Sequence, residues 1–150
     1  MSFRPTEILA AGASALSHTG NTNETSLVTY SLAANTLKVG GMIRITCLWS
    51  YTNSSNNKTL KVKFGSANPL NLTVTTTASL LRHVHVFQRG ASSQTFFSVN
   101  NTTGVGVSAG AISTSAIDTT SAVTIDFTAT LANAGETITL EYYLIEMTQP

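Results

Sequence analysis

The feature that most constrains this chain is the alternation of apolar and polar residues along most of its length. It is clearest in "AVTIDFTATL" at positions 122–131, where every second residue from Val123 to Leu131 is apolar and Thr or Asp stands between them. Successive side chains of a β-strand point to opposite faces. The segment is therefore predicted to be a strand with one face in a core and the other in water.

The same period recurs in seven further segments, at 26–32, 42–49, 59–64, 70–75, 80–88, 94–99 and 137–147. The connections between them are rich in Gly, Asn and Ser, and no amphipathic helical pattern of useful length occurs. We predict an all-β fold, an antiparallel β-sandwich of eight to nine strands with jelly-roll topology. An immunoglobulin-like sandwich is the alternative, disfavoured because the Cys…Trp…Cys pattern of that fold is missing.

The first two dozen residues have a weaker period and a different composition, rich in Ala, Gly, Ser and Asn. We divide the chain into an N-terminal arm at 1–24, in an extended form that includes one short strand near Glu7 to Ala10, and a jelly-roll domain at 25–150. Two interpretations of the arm stand side by side. One is a loosely ordered terminus, and the other is an arm that orders on a partner through Phe3, Arg4 and Pro5.

The last predicted strand, "TITLEYYLIEM", is long and apolar on both sides. Strict alternation would place Ile138, Leu140, Tyr142 and Leu144 on one face and Tyr143, Ile145 and Met147 on the other. A strand buried on both faces suggests an intersubunit contact besides the core. We therefore predict that Tyr143, Ile145 and Met147 contribute to a partner interface, and that the chain forms a homo-oligomer, a trimer closed by cyclic symmetry.

Charged residues make up 10% of the chain and the net charge is +1. A typical soluble domain is about 25% charged, so hydroxyls and amides replace the missing charges. This balance gives no electrostatic footprint for nucleic acid or an anionic membrane, and we predict neither as a partner. Lys58, Lys61 and Lys63 form a small cluster that we interpret as a solvated strand face.

Cys47 is the only cysteine, so no intrachain disulfide can form. It lies in an apolar strand, which predicts a buried and inert thiol. No stretch approaches the roughly 18 apolar residues of a membrane helix, and the start "MSFRPTEILAAGASALSH" lacks the basic and hydrophobic regions of a signal peptide. We expect synthesis in the host cytoplasm.

Few residues offer chemistry. His83 and His85 lie on one face of a predicted strand and could share a metal ion, but the only other histidine is His18 in the weakly patterned terminus. The seven acidic residues form no motif, and no nucleophile, phosphate-binding or zinc signature occurs. We predict no catalytic residues, no metal, no cofactor and no enzymatic activity.

Aromatic side chains could instead line a sugar site. The candidates are Trp49, Tyr51, Phe96, Phe97, Tyr142 and Tyr143. Trp49 shares its face with Ile43 and Ile45, so core packing is favoured for it. Tyr51 and Tyr143 are the freer candidates.

Two stretches resemble a known group of proteins. "TSLVTYSLAANTLKVGGMIRITCLWSYTNSSNNKTLKVKFG" is similar to a segment of virion proteins of tailed bacteriophages, in which a strand reading YxIxANTLKxGDxIRI leads through an Asn/Ser turn into KTLxxxxG. "NAGETITLEYYLIEM" resembles the closing strand of the same modules. The resemblance covers residues 25–66 and 133–147, and it departs where Gly41 replaces the usual acidic residue.

The resemblance implies a jelly-roll domain, often trimeric, of the kind found in head decorations, head fibres, tail fibres and tail-tip knobs. We accordingly expect a non-enzymatic virion structural protein, a capsid decoration or cement protein whose partners are its own copies and other virion proteins such as the major capsid protein. The alternative is a receptor- or carbohydrate-binding knob of a phage tail or fibre, with a surface glycan as its ligand.

Overall fold

The computed structural model describes residues 5–98 and 112–150, and all regular structure in these two ranges is β-strand. The strands are β1 (Glu7–Gly12), β2 (Leu16–Thr19), β3 (Thr25–Leu32), β4 (Met42–Tyr51), β5 (Lys58–Phe64), β6 (Ala67–Val74), β7 (Ser79–Gly90), β8 (Ser93–Ser98), β9 (Ser113–Ser115), β10 (Val123–Leu131) and β11 (Thr137–Thr148). The last residue of the strand predicted at 94–99 lies outside the described residues.

The strands form two antiparallel sheets that pack face to face. The larger sheet has seven strands in the order β1-β11-β4-β7-β8-β9, and β2 also pairs with β11, further along the edge that β1 occupies. The smaller sheet has four strands in the order β3-β10-β5-β6. The predicted antiparallel β-sandwich is thus confirmed.

The core lies between the two sheets and is built from the residues that alternation selects. In β10, all five apolar residues from Val123 to Leu131 are buried, and in β4 the inward set includes Trp49, which is fully buried. Burial of a large apolar side chain contributes about 1.5–3 kcal/mol. The inward faces therefore supply the main stabilising contribution, and the outward faces are left free for other contacts.

β1 and β2 lie within the segment predicted as an N-terminal arm. Both pair with β11, with Ala11 opposite Leu144 and His18 opposite Ile138. From Glu7 to Thr19 the segment thus belongs to the larger sheet. β2 and β9 have four and three residues, too short to show a period, which is why the sequence pattern missed them.

β11 contains a bulge that changes which of its side chains face the core. The pairing with β4 shifts by one residue between Leu140 and Tyr142, so Ile138 and Leu140 face inward before the bulge while Tyr143, Ile145 and Met147 face inward after it. Strict alternation across the whole strand is therefore wrong. Apart from the bulge, the strand has one core face, and Tyr142 and Leu144 are half-buried on the other.

The prediction that Lys58 belongs to a solvated strand face is wrong. Its side chain is fully buried at the end of the sandwich, on the same face of β5 as Leu60, and not in a solvated cluster with Lys61 and Lys63. Its ammonium donates to the Asn56 carbonyl at 2.7 Å and to Ser54 Oγ at 2.8 Å. Glu136 Oε2 lies 3.6 Å from the same nitrogen. Lys58 thus ties the 52–57 loop to the turn before β11.

Two glycines permit close contacts beside β11. A Cβ on Gly12 would stand 2.5 Å from the ring of Tyr143, its cross-strand partner, so the tyrosine covers the glycine. A Cβ on Gly41 would stand 2.5 Å from Gln149 Oε1, which accepts a hydrogen bond from the Lys38 amide. The Lys38 carbonyl oxygen would stand 2.9 Å from the same Cβ, so a larger residue at position 41 would require a shift of its neighbours.

Among the residues that the structure describes, no helix is long and apolar enough to span a membrane.

Candidate assembly surface

The outer face of the larger sheet carries large apolar side chains that the core does not use. Leu48, Leu81 and Phe87 are 38%, 48% and 39% exposed. We define the apolar face as the outward surface formed by Leu48, Leu81, Phe87, Phe97, Tyr142 and Leu144.

The register makes these residues neighbours. Tyr142 of β11 pairs with Leu48 of β4, and Leu48 pairs with Leu81 of β7, so three apolar side chains form one row across three strands. Cross-strand Cβ atoms are about 4.5–5.5 Å apart. The next row holds Leu144, Thr46 and His83, which continues the surface along the strands.

A salt bridge lies in the following row. Arg44 Nη2 is 2.8 Å from Glu146 Oε2, and Arg44 Nε donates to the same oxygen at 2.9 Å. Exposed pairs of this kind contribute about 0–1 kcal/mol to stability. The contact matters more for the surface, because the two opposite charges offset each other within the face.

The two histidines lie beside this pair. His85 stacks on Phe87 with ring centroids 5.9 Å apart, and His83 Nδ1 lies 3.1 Å from Thr46 Oγ1. Burial lowers the pKa of His85, and the charges of Arg44 and His83 lower it further. His85 is therefore predominantly neutral at pH 7, and it extends the apolar face with an uncharged ring.

A groove of about 330 Å³ opens at one end of the same face. It is lined by Phe87, Arg89, Thr95, Phe97 and Ile112, with Phe96 behind them. Ile112 is 61% exposed at its rim. Aromatic walls with an arginine and a hydroxyl fit a small ligand that has both an apolar face and polar groups.

The outer face of the smaller sheet is chemically different. We define the hydroxyl face as its outward residues Ser26, Thr29, Thr59, Lys61, Lys63, Thr73, Asp126 and Thr128. Glu24 lies over this face and accepts hydrogen bonds from Lys63 at 2.7 Å, Thr128 at 2.7 Å and Lys61 at 3.2 Å. These contacts, the one from Lys63 above all, lower the pKa of Glu24 to about 2.

The residues predicted for a partner interface have different surroundings where the structure describes them. Phe3 and Arg4 lie outside the described residues, and Pro5 is exposed near Met147 and Gln149, where a shallow pocket opens. Within the chain, Ile145 and Met147 are buried in the core, at 0% and 3% exposure. Tyr143 packs inward with its ring 5.4 Å from that of Phe127.

Most of the aromatic residues considered for a sugar site belong to the core. Trp49, Tyr51 and Phe96 are buried. The Tyr51 hydroxyl lies 2.7 Å from Thr77 Oγ1, so the expectation that Tyr51 and Tyr143 are freer than the others is wrong. Tyr142 and Phe97 are the two of this set that reach the outer face.

The described residues include no group of three or more His, Cys, Asp or Glu side chains that could hold a metal ion. Cys47 is fully buried, and burial raises the pKa of its thiol to about 12. The burial of Cys47 confirms that part of the prediction, and because a thiolate is the reactive form, a raised pKa favours low reactivity.

Sequence reasoning did not single out Leu48, Leu81 or Phe87 as surface residues. The signal was present in "MIRITCLW" and "LLRHVHVFQ", where these residues occupy the outward positions of strands whose inward positions are already apolar. Apolar residues that are contiguous on the outward side of neighbouring strands mark a candidate contact surface.

No family model matches the chain, and no curated protein matches its sequence.

Proposed function

We propose that this chain is a non-enzymatic structural protein of a tailed-bacteriophage virion, a decoration or cement protein that binds the capsid as a trimer. The observation that carries the proposal is the apolar face, a broad outward surface with little net charge on a rigid sandwich. Such a surface suits assembly, because it offers shape and apolar area with few polar groups to desolvate. The resemblance of residues 25–66 and 133–147 to phage virion modules supports a virion as the particle on which the chain assembles.

The proposal includes jelly-roll topology. That fold has eight strands in two four-stranded sheets, built from two Greek keys. The orders β2-β11-β4-β7 and β3-β10-β5-β6 support this assignment, with the β8–β9 segment as an insertion before β10. The partners proposed are further copies of the chain and the major capsid protein, and the chain would be made in the host cytoplasm before it joins the virion.

Many identical modest contacts on a lattice add up to firm attachment. A decoration protein therefore needs no deep pocket and no strong charge, which agrees with the surface described above. It binds neither nucleic acid nor a membrane in this proposal, because the net charge is +1.

The groove between Phe87 and Phe97 favours a second candidate function, a receptor- or carbohydrate-binding knob on a tail or fibre. Sugar rings stack on aromatic side chains, and Arg89 and Thr95 offer polar contacts at its wall. Substitution of Phe97 by Ala would abolish glycan binding if this function held.

Immunogold electron microscopy of purified particles, with antibody against this chain, tests the proposal. Label distributed over the head supports the decoration role. Label at the tail tip contradicts that role and supports the knob. Particles without any label contradict both.

A further inference from the structure

We propose that the apolar face is the surface on which a second copy of this chain packs. The inference rests on the proposed function, since it names the surface that would hold the trimer together. The sequence predicted a partner interface at Tyr143, Ile145 and Met147, but these side chains pack in the chain's own core. The assembly contact moves to the opposite side of the same sheet.

The size of the face matches what such a contact needs. Strands lie about 4.8 Å apart and alternate residues about 6.7 Å apart along each strand. β11, β4 and β7 over five outward rows, with β8 over two of them, therefore present on the order of 550 Å² in projection. A stable interface buries about 800 Å² on each partner, which the face and its flanks supply together.

The charge pattern favours a copy over a charged partner. Arg44 and Glu146 are already paired at 2.8 Å within the face, so an incoming surface need not supply a counter-charge for either. The row of Tyr142, Leu48 and Leu81 carries no charge at all. A second apolar face has the same properties, whereas contact with the hydroxyl face would desolvate more charge, since Lys61, Lys63, Glu24 and Asp126 lie there.

Contact between two copies of this face also covers its exposed apolar side chains in one step. Leu48, Leu81 and Phe87 are each more than one third exposed in the single chain. When three such faces meet around a threefold axis, one part of each face packs on a different part of the next copy's face, and the ring closes. A partner of another kind would have to provide an equally large uncharged surface of its own.

The test is thiol labelling of the full-length chain with a maleimide. Leu81→Cys places a thiol in the uncharged row of the apolar face, beside Leu48, and Thr73→Cys places one on the hydroxyl face as the matched control. Native Cys47 is buried with a pKa of about 12, so the unsubstituted chain is a silent background. Sedimentation velocity on the same samples reports the assembly state from submicromolar to high micromolar concentration.

We expect the Leu81→Cys thiol to react about tenfold more slowly at high than at low concentration, because association covers it by mass action. The Thr73→Cys thiol should react at the same rate throughout. Equal rates for Leu81→Cys at all concentrations overturn the inference, as does a chain that sediments as a monomer throughout. Leu→Cys at an exposed position is mild, and a melting curve superimposable on the unsubstituted chain verifies the fold.

The two proposals fail separately. An oligomer in which the Leu81→Cys thiol stays reactive overturns this interface and leaves the virion role standing on another contact. If the Leu81→Cys thiol is protected but the antibody labels no part of the particle, the virion role is overturned and the interface is retained. A Leu81→Cys thiol that is protected only when capsid protein is added assigns the face to that partner and overturns the second copy.

Discussion

The two outer faces of the sandwich differ although their strands share one inward pattern. The apolar face presents Leu48, Leu81 and Phe87, with an internally paired Arg44. The hydroxyl face presents threonine and serine, with lysines gathered around Glu24. Most inward residues on both sides are Ile, Leu, Val or Phe. The comparison teaches that alternation determines which residues enter the core. The identity of the outward residues determines what the molecule can contact.

The hydroxyl face suits lasting exposure. Thr59 Oγ1 and Thr73 Oγ1 lie 3.3 Å apart on neighbouring strands, and Thr is compatible with a pleated surface that water covers. Such a face gives little reason for another chain to bind. The apolar face gives such a reason, since removal of apolar area from water contributes about 25 cal/mol per Å².

The largest expected effect separates the two sides of a single strand, β5. Lys58→Met should lower the free energy of unfolding by about 3 kcal/mol, because the carbonyl of Asn56 and the hydroxyl of Ser54 lose a buried charged donor. Lys61→Met, three residues along and outward, should change it by less than about 1 kcal/mol. Urea unfolding of both variants measures the difference. If both variants lost the same free energy of unfolding, the burial of Lys58 would not explain its contribution.

The second effect concerns the apolar face directly. Leu48→Glu should weaken self-association about thirtyfold, or about 2 kcal/mol, because each copy would bury a new carboxylate without a partner. Thr59→Glu, on the hydroxyl face, should leave association unchanged. Analytical ultracentrifugation gives both dissociation constants, and a Leu48→Glu constant equal to that of the unsubstituted chain would contradict the prediction.

The third effect concerns acid and the hydroxyl face. The pKa of Glu24 is lowered to about 2, mainly by Lys63, so its contribution to stability is present above the usual value of 4.5 and is lost as pH falls from 4.5 towards 2. Glu24→Gln should lower the free energy of unfolding at pH 7 by about 1 kcal/mol, a small value because its side chain is one third exposed. Melting curves at pH 7 and pH 3 measure it. The difference between variant and unsubstituted chain should shrink at pH 3, and a constant difference would refute the assignment.

The smallest effect concerns the apolar face at milder pH. The pKa of His85 is lowered by burial and then by Arg44 and His83, so the neutral ring is favoured in the fold. Stability and association are then greatest above its usual pKa of 6.5 and decline as pH falls through that value. The titratable and charged groups that face His85 are Arg44 from β4, with Glu146 behind it on β11, and His83 from β7, while Arg89 lies two outward positions further along β7. From β8, Phe97 stands opposite.

We expect self-association to weaken a few-fold, less than about tenfold, between pH 7.5 and pH 5.5. His85→Leu should remove most of this dependence while association at pH 7.5 is kept. Ultracentrifugation at the two pH values measures both chains. A variant that responds to pH as strongly as the unsubstituted chain would rule out His85 as the source.

The sequence determined the β-sandwich and most of its core. The residues of "AVTIDFTATL" and "MIRITCLW" that share a period are the ones buried, because a strand of regular geometry sends every second side chain to the same face. It also predicted the buried state of Cys47 and Trp49. Strand formation and the inward side of a strand depend on neighbouring residues, so the alternation within one segment is enough to predict them.

Only the tertiary structure decided the faces of β11 and the neighbours of its residues. A single extra residue between Leu140 and Tyr142 moves Tyr143, Ile145 and Met147 into the core, and no local signal marks a bulge whose position is set by pairing with β4. The row of Tyr142, Leu48 and Leu81 likewise joins three strands that are distant in sequence. Register between distant strands arises from the whole core at once, which is why the candidate surface became visible only after the sheet was assembled.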